Sequence, residues 1–151
     1  MENIIIRKAV KEDADTILEL VKKLALFELA PDEVSASTQD YIENGFNEHP
    51  LFECNLIYYQ NQLAGFSLWY FRFSTWKGKR FYLEDLYINE EFRGLGLGKL
   101  LLEECIQEAK RTNCKGMMWQ VLEWNHSAIE FYKKYGVGKR IHAGTTSPSS
   151  N

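Results

Sequence analysis

Apolar residues recur along this chain with two different periods. In the segment 13–28 they return every three or four residues, which predicts an amphipathic helix. The runs 54–59 and 63–73 are instead dense in apolar and aromatic residues, as in strands. The polar segment 60–62 between these two runs is typical of a hairpin turn. The pattern therefore predicts both helices and a sheet.

The same reading extends along the rest of the chain. The predicted strands are 4–8, 54–59, 63–73, 80–88 and 117–122, and the predicted helices are 13–28, a short helix capped by Ser37 or Thr38 that stops at Gly45, 99–112 and 127–135. Hairpin-linked strands followed by one β–loop–α–β unit predict a mixed α/β (α+β) fold, with helices on both faces of a mixed sheet. We expect one domain over residues 1–136.

The segment 137–151 differs from the rest in composition. It is rich in Gly, Ser and Thr, with neither strand alternation nor a helical apolar stripe. Too few apolar side chains are available there to offset the entropy of ordering the backbone. We expect a disordered C-terminal tail.

Bulk properties exclude several classes of function. The 151 residues carry a net charge of −3, whereas nucleic-acid binders are usually basic. The three cysteines lack the spacing of metal ligands, which indicates reduced thiols and no metal site. Because charges interrupt every apolar run, we expect neither a signal peptide nor a membrane span, and a cytoplasmic location.

The most informative motif is the glycine loop, defined here as residues 93–99, with the sequence Arg-Gly-Leu-Gly-Leu-Gly-Lys. It joins a predicted strand to a predicted helix. Glycines at such a junction let backbone N–H groups approach an anion, and the helix dipole adds partial positive charge. The loop predicts a site for a phosphate-bearing cofactor; the structural alternative is a turn without a ligand.

Three known phosphate loops can be compared with this one. A Walker A loop requires a Ser or Thr after Gly98-Lys99, where this chain has Leu100, and a dinucleotide loop requires GxGxxG, where this chain has GxGxG. The pattern R/Q-x-x-G-x-G/A is matched in full by residues 93–98. In this motif the chain resembles the GNAT superfamily of N-acetyltransferases, whose acyl-CoA pyrophosphate loop follows the fourth strand.

The resemblance extends over about residues 4–136. Segments similar to the spermidine/spermine (diamine) N-acetyltransferase branch are 24–28, 45–50, 76–79, 82–86, 123–125 and 131–133. The resemblance implies a GNAT fold with a mixed, mostly antiparallel sheet flanked by helices. It also implies an acetyl-CoA-dependent enzyme that acts on a small cationic amine, first a polyamine or diamine, as a homodimer without nucleic-acid or membrane partners.

Residue roles are implied by the same resemblance. The cofactor-binding positions are the end of the fourth strand at Leu86, Tyr87 and Ile88, the glycine loop at Arg93, Gly94, Leu95, Gly96, Leu97, Gly98 and Lys99, and then Asn125 and Tyr132. Tyr132 is placed to protonate the departing thiolate. The simpler interpretations are a half-buried helix tyrosine for Tyr132 and a solvated side chain for Lys99.

The acceptor amine needs a base and a binding site. By resemblance, Glu84 deprotonates the ammonium through water, Asp85 binds the cation, and Glu28 and Trp76 line the polyamine channel. A carboxylate between Leu83 and Leu86 is costly to bury without a partner, which favours a functional role. The simpler interpretation is an exposed pair of carboxylates at a strand end.

The chain departs from the family at its C-terminus. Family members continue after Phe-Tyr-x-x-x-Gly into an amphipathic strand, and the composition of 137–151 predicts that this strand is absent or altered here. Two alternatives to polyamine acetylation therefore stay open: transfer to an amino-acid or thialysine-like amine, and a non-catalytic acyl-CoA-binding module. Direct transfer in a ternary complex is expected, since the motif region contains no cysteine for a covalent intermediate.

Overall fold

Six strands and three α-helices make up the part of the chain that the structure, a computed structural model, describes: residues 3–121 and 141–143. The strands are β1 (Ile4–Lys8), β2 (Glu53–Tyr59), β3 (Gln62–Ser74), β4 (Gly78–Ile88), β5 (Met117–Val121) and β6 (Ile141–Ala143), and the helices are α1 (Ala14–Phe27), α2 (Thr38–Gly45) and α3 (Leu97–Arg111). The strands form one sheet in the order β1-β2-β3-β4-β5-β6.

The sheet is mixed, as the sequence predicts. β1 pairs with β2 in the antiparallel direction, and β4 pairs with β5 in the parallel direction. The turn between β2 and β3 has only two residues, Gln60 and Asn61, with φ angles of 51° and 67°. Two consecutive positive φ angles match the right-handed twist of a hairpin, so the predicted turn is confirmed.

The predicted cap of α2 is also confirmed. The Asp40 N–H donates to Ser37 Oγ at 3.1 Å, and the Ser37 N–H donates to Asp40 Oδ2 at 2.8 Å. This reciprocal pair satisfies two backbone donors at the start of the helix. α2 ends at Gly45, where a Cβ atom would overlap the Phe52 ring.

The C-terminal segment requires a correction. Residues Ile141–Ala143 form β6, which pairs with β5 in the parallel direction. The prediction that 137–151 contains no strand is therefore wrong for these three residues. The other residues of that segment and the predicted helix 127–135 lie outside the described residues.

The chain divides into two compact units. The first consists of Met1–Leu68 and Asp85–Leu102, and the second of Trp69–Glu84 and Glu103–Asn151. In the first unit, Leu56 of β2 packs in one buried cluster with Ile17 and Leu20 of α1. The next residue, Ile57, packs in another with Leu97 of α3. Because successive strand residues point to opposite faces, α1 and α3 cover opposite faces of β2, as predicted.

The second unit is built on aromatic stacking and parallel pairing. The Trp69 and Phe81 rings stack with centroids 5.3 Å apart, and both side chains are fully buried. Phe81 of β4 is aligned with Met117 of β5, and Leu83 with Trp119. The second half of α3 contributes buried Cys105 to this unit. The predicted β–loop–α–β unit is thus confirmed through β5.

Asp13 connects β1, β2 and the start of α1. Arg7 donates to both carboxylate oxygens of Asp13, at 2.8 and 3.0 Å, and also to the Tyr58 hydroxyl at 2.8 Å. The Val10 N–H donates to Asp13 at 2.8 Å. The hydrogen bond from Arg7, stronger than the opposing effect of burial, holds the pKa of Asp13 below its usual range.

We expect Asp13→Asn to lower the free energy of unfolding by about 1 kcal/mol at pH 7, because the amide removes the charge that Arg7 pairs with. A carboxyl whose pKa is lowered by folding stabilises the protein above its unfolded-state pKa and loses that contribution as the pH falls through the folded-state pKa. The difference between the two proteins should therefore shrink below about pH 4.

Thermal unfolding across pH 2–7 measures this difference. Glu19→Gln is the matched control, since Glu19 faces Lys22 at 3.8 Å on an exposed helix surface and should change stability little. A constant difference between Asp13→Asn and the natural protein down to pH 2 would contradict the role of the Asp13 charge.

Candidate active site

The glycine loop has the backbone conformation that its sequence predicts. After β4, one helical turn at Glu90–Phe92 leads into Gly94 and Gly96, whose φ angles are +85° and +80°. Residues with a Cβ atom rarely adopt such angles, so glycine is required at both positions. A Cβ built on either glycine meets no atom of residues 3–121 and 141–143 within 4 Å. The loop conformation thus depends on glycine at both positions, and the described residues leave the space beside them open.

Backbone N–H groups converge where the loop becomes α3. The first helical hydrogen bond of this end runs from the Leu100 N–H to the Gly96 carbonyl, at 3.2 Å. The N–H groups of Leu97 and Gly98 precede it and have no acceptor within the helix. Together with the positive end of the helix dipole they suit an anion such as a pyrophosphate.

Arg93, the first residue of the glycine loop, forms hydrogen bonds with residues that precede the loop. Its N–H donates to the Glu90 carbonyl at 3.2 Å, which leaves the N–H groups from Gly94 onward for the predicted anion. Its guanidinium Nε donates to the Ile88 carbonyl at 2.8 Å. The Arg93 side chain therefore binds the protein, although the resemblance implies a cofactor-binding position.

The three residues at the end of β4 pack on two faces. Leu86 and Ile88 are half-buried in the cluster that contains Leu97 of α3, whereas Tyr87 is buried in the α1 cluster. A Cβ at Gly65 of β3 would collide with the Tyr87 carbonyl oxygen. Glycine at position 65 thus permits a close approach of β3 to this part of β4.

Glu28 lies at the C-terminal end of α1, directly before the left-handed residue Leu29 with a φ of 62°. The Ala30 N–H donates to the Ala25 carbonyl at 2.8 Å, which closes the helix end. Glu28 is half-buried, and burial raises the pKa of its carboxyl. A carboxyl in this state gains from a cationic partner.

In the second unit, Glu84 of β4 accepts a hydrogen bond from the Tyr70 hydroxyl at 3.4 Å. The surrounding protein raises the pKa of the Glu84 carboxyl, and the bond from Tyr70 opposes that rise. Glu84 nevertheless keeps a solvent-exposed surface, so water screens its charge and the direction of the shift is what matters. A carboxyl of raised pKa that solvent reaches is suited to accept a proton near neutral pH.

Tyr70 is a functional candidate that the sequence analysis missed. Its ring stacks on Tyr82 with centroids 5.0 Å apart, and the Arg72 guanidinium lies 5.2 Å above the Tyr82 ring. Burial, followed by the charge of Glu84, raises the pKa of Tyr70, so its hydroxyl stays protonated and donates. The only sequence signal is its place in the aromatic run 63–73.

Three more of the predicted site residues lie in the described part of the chain: Trp76, Asp85 and Lys99. Trp76 lies in the turn between β3 and β4 and is 91% exposed, so the described residues do not enclose it. Asp85 follows Glu84 on β4 and is half-buried. Lys99 lies in the first turn of α3. Asn125 and Tyr132 lie outside the described residues.

Residues 3–121 and 141–143 also bear on metal sites and membrane spans. Within these ranges, no three His, Cys, Asp or Glu side chains are grouped so that they could hold a metal ion. No helix in the same ranges has the length and apolar character needed to cross a bilayer.

Comparisons with known proteins agree with this architecture. The family model described as "Acetyltransferase (GNAT) family" matches residues 16–137. A thialysine N-epsilon-acetyltransferase of Sus scrofa is 33% identical over 144 residues, which cover 90% of this chain and 85% of the relative.

Two further proteins are similar over most of the chain. The spermidine/spermine N(1)-acetyltransferase-like protein 1 of Homo sapiens is 35% identical over 87% of this chain, which spans 20% of that longer protein. The crystal structure of an aminoglycoside acetyltransferase from an uncultured soil metagenomic sample superposes with a TM-score of 0.77, at 13% identity, over 97% of both chains. We conclude that the chain belongs to the acetyltransferase (GNAT) family and is an N-acetyltransferase.

Proposed function

We propose that this enzyme transfers the acetyl group of acetyl-CoA directly to a primary amine at the end of a short alkyl chain. A diamine or polyamine is the leading acceptor. The observation that carries the proposal is the glycine loop, where two left-handed glycines lead into α3 and the N–H groups of Leu97 and Gly98 in its first turn have no acceptor within the helix. This arrangement fits a pyrophosphate, and the described part of the chain leaves open space beside both glycines.

The acyl donor would be held along β4 and the glycine loop. The loop N–H groups from Gly94 to Lys99 would bind the pyrophosphate, and the backbone of Leu86, Tyr87 and Ile88 would bind the pantetheine arm. By resemblance, Asn125 contributes a further contact. The side chains at the end of β4 are free to pack in the core because only their backbone is needed.

Glu84 is the proposed base. The ammonium of the acceptor loses a proton to Glu84 through water, and its nitrogen then attacks the thioester carbonyl carbon as the carbon–sulfur bond breaks. Tyr132, by resemblance, supplies the proton that the departing thiolate takes up. Glu28 and Asp85 offer carboxylates to a cationic acceptor, and Trp76 offers an aromatic face for a methylene chain or an ammonium.

Thialysine is the second candidate acceptor. Thialysine also presents a primary amine at the end of a short flexible side chain. The Sus scrofa relative, whose match covers 90% of this protein, is named a thialysine N-epsilon-acetyltransferase. The two acceptors differ at the far end, because thialysine carries an amino-acid group where a polyamine carries another cation. We further propose that the protein is a homodimer, as the resemblance implies, and that it is cytoplasmic, as expected from the charges that interrupt its apolar runs.

The proposed reaction is tested by the release of free thiol from acetyl-CoA with spermidine, spermine, putrescine, lysine and thialysine as acceptors. We expect release with a polyamine or diamine, and acetylated product at a terminal nitrogen by mass spectrometry. Release with thialysine or lysine alone would contradict a polyamine or diamine acceptor and support the second candidate. Binding of CoA without release for any amine would contradict the enzymatic proposal and support a binding module.

The glycine loop can be tested by binding alone. Gly96→Ala places a Cβ on a residue at φ +80°, which costs about 1–2 kcal/mol or drives the backbone out of its conformation. We expect the Kd for CoA to rise at least about tenfold by calorimetry, since 1.4 kcal/mol corresponds to tenfold.

Gly78→Ala is the matched control for this substitution. Gly78 has a φ of +86° and begins β4 after the hairpin turn, so the backbone strain is similar but outside the loop. It should lower stability to a similar degree and leave the Kd for CoA unchanged. An equal rise of Kd in both variants would contradict a specific role for the loop.

The base can be tested through Tyr70. Tyr70→Phe removes the hydrogen bond that lowers the pKa of Glu84, so that pKa should rise. Because the base must be deprotonated to act, the acidic limb of the kcat/KM profile should move to higher pH, and activity at a pH on that limb should fall about fivefold for one lost hydrogen bond.

Tyr58→Phe is the control for loss of a tyrosine hydroxyl, since Tyr58 accepts from Arg7 and has no contact with Glu84 among the described hydrogen bonds. Its acidic limb should coincide with that of the natural enzyme. An unchanged acidic limb in Tyr70→Phe would show that Glu84 is not the group whose ionisation limits the rate.

A further inference from the structure

The Arg93 side chain is held by three groups, which together we call the Arg93 clamp: Phe27, Tyr87 and the Ile88 carbonyl. The guanidinium carbon lies 4.7 Å from the centroid of the Phe27 ring and 5.3 Å from that of Tyr87. Nε donates to the Ile88 carbonyl at 2.8 Å. The two rings meet edge to face, with centroids 6.4 Å apart.

The geometry of the clamp is specific to arginine. A planar guanidinium can stack on aromatic faces and still donate a hydrogen bond in its own plane. A lysine ammonium has no such plane, so it does not reproduce both contacts at once. The clamp thus depends on the same residue that begins the glycine loop.

The clamp joins the loop to the end of α1. Phe27 is the last residue of α1 and Glu28 follows it as the C-terminal cap, while Arg93 directly precedes the left-handed Gly94. Phe27 is 38% exposed, and its ring contacts both the Arg93 guanidinium and the Tyr87 ring. Arg93 therefore connects the start of the glycine loop to the residue beside Glu28.

We propose that Phe27 is a positioning residue for the acceptor amine: through Arg93 it holds the end of α1, with Glu28, in the place set by the glycine loop. This inference rests on the proposed function. It follows that the two substrates affect each other's binding. If the occupied loop tightens binding of the amine, then the amine must tighten binding of CoA by the same factor.

Phe27→Leu tests this proposal, because leucine keeps an apolar side chain and removes the aromatic face. We expect the KM for the amine to rise about two- to fivefold, the value of an exposed cation–π contact. The kcat and the Kd for CoA without amine should stay within about twofold, since Arg93 keeps its bond to Ile88. The factor by which the amine tightens CoA binding should fall. Phe27→Tyr, which keeps the ring, should restore all of these values.

Leu26→Ala is the matched control, since Leu26 precedes Phe27 on α1, is 64% exposed and lies outside the clamp. It should leave the KM for the amine unchanged. A double-mutant cycle with Arg93→Lys supplies an independent readout: once the clamp is broken at Arg93, Phe27→Leu should have no further effect on the amine KM or on the coupling factor.

The outcomes separate this inference from the proposed function. If the natural protein acetylates an amine and Phe27→Leu leaves its KM and the coupling factor unchanged, only the role of Phe27 is overturned. Additive effects of Phe27→Leu and Arg93→Lys would overturn it as well. If the natural protein acetylates no amine at all, the proposed function is overturned and the role of Phe27 with it.

Discussion

The left-handed backbone at Gly94 and Gly96 is the constraint on which the rest of the site depends. It turns the chain from the end of β4 into α3 within a few residues, so that N–H groups point out of the helix end. An unpaired N–H is costly in a protein interior but useful beside a ligand. The loop must therefore be held in shape by its neighbours without using those donors. Arg93 meets this requirement, because its bonds run to Glu90 and Ile88 on the strand side of the loop.

β4 carries the proposed base and leads into the glycine loop. Its last residues, Leu86 to Ile88, lead to the glycine loop, and Glu84 precedes them on the same strand. Strand geometry fixes the rise between consecutive residues, so the position of the carboxylate relative to the strand end is set by counting along the backbone. Tyr70 on β3 then adjusts the proton affinity of that carboxylate through one hydrogen bond. The proposed base and the glycine loop that carries the family motif thus lie on one short stretch of chain.

Local signals in the sequence predicted much of this structure. The bounds of β1, the Ser37 cap and the hairpin turn at Gln60-Asn61 were predictable because each depends on residues close in sequence. β6 was missed because its three residues have no periodic pattern and become a strand only by pairing with β5. The side-chain partners of Arg93 and Glu84 were missed for a similar reason. Phe27 is distant in sequence from Arg93, and Tyr70 lies in an aromatic run without a recognisable motif. The spacing of residues does not predict which aromatic side chain contacts a given guanidinium or carboxylate.

The parallel pairing of β4 with β5 also has a consequence for how the molecule folds. Leu83 is aligned with Trp119, so the intervening segment, which includes the whole glycine loop and α3, forms a closed loop of chain once these strands meet. Closing it costs entropy before any strand contact offsets that cost, and such non-local pairings form slowly. A hairpin such as β2–β3 needs no such closure. We therefore expect the glycine loop to acquire its shape late in folding, after the hairpins and together with the pairing of β5. A molecule that binds the ligand should then be one that has already completed its fold.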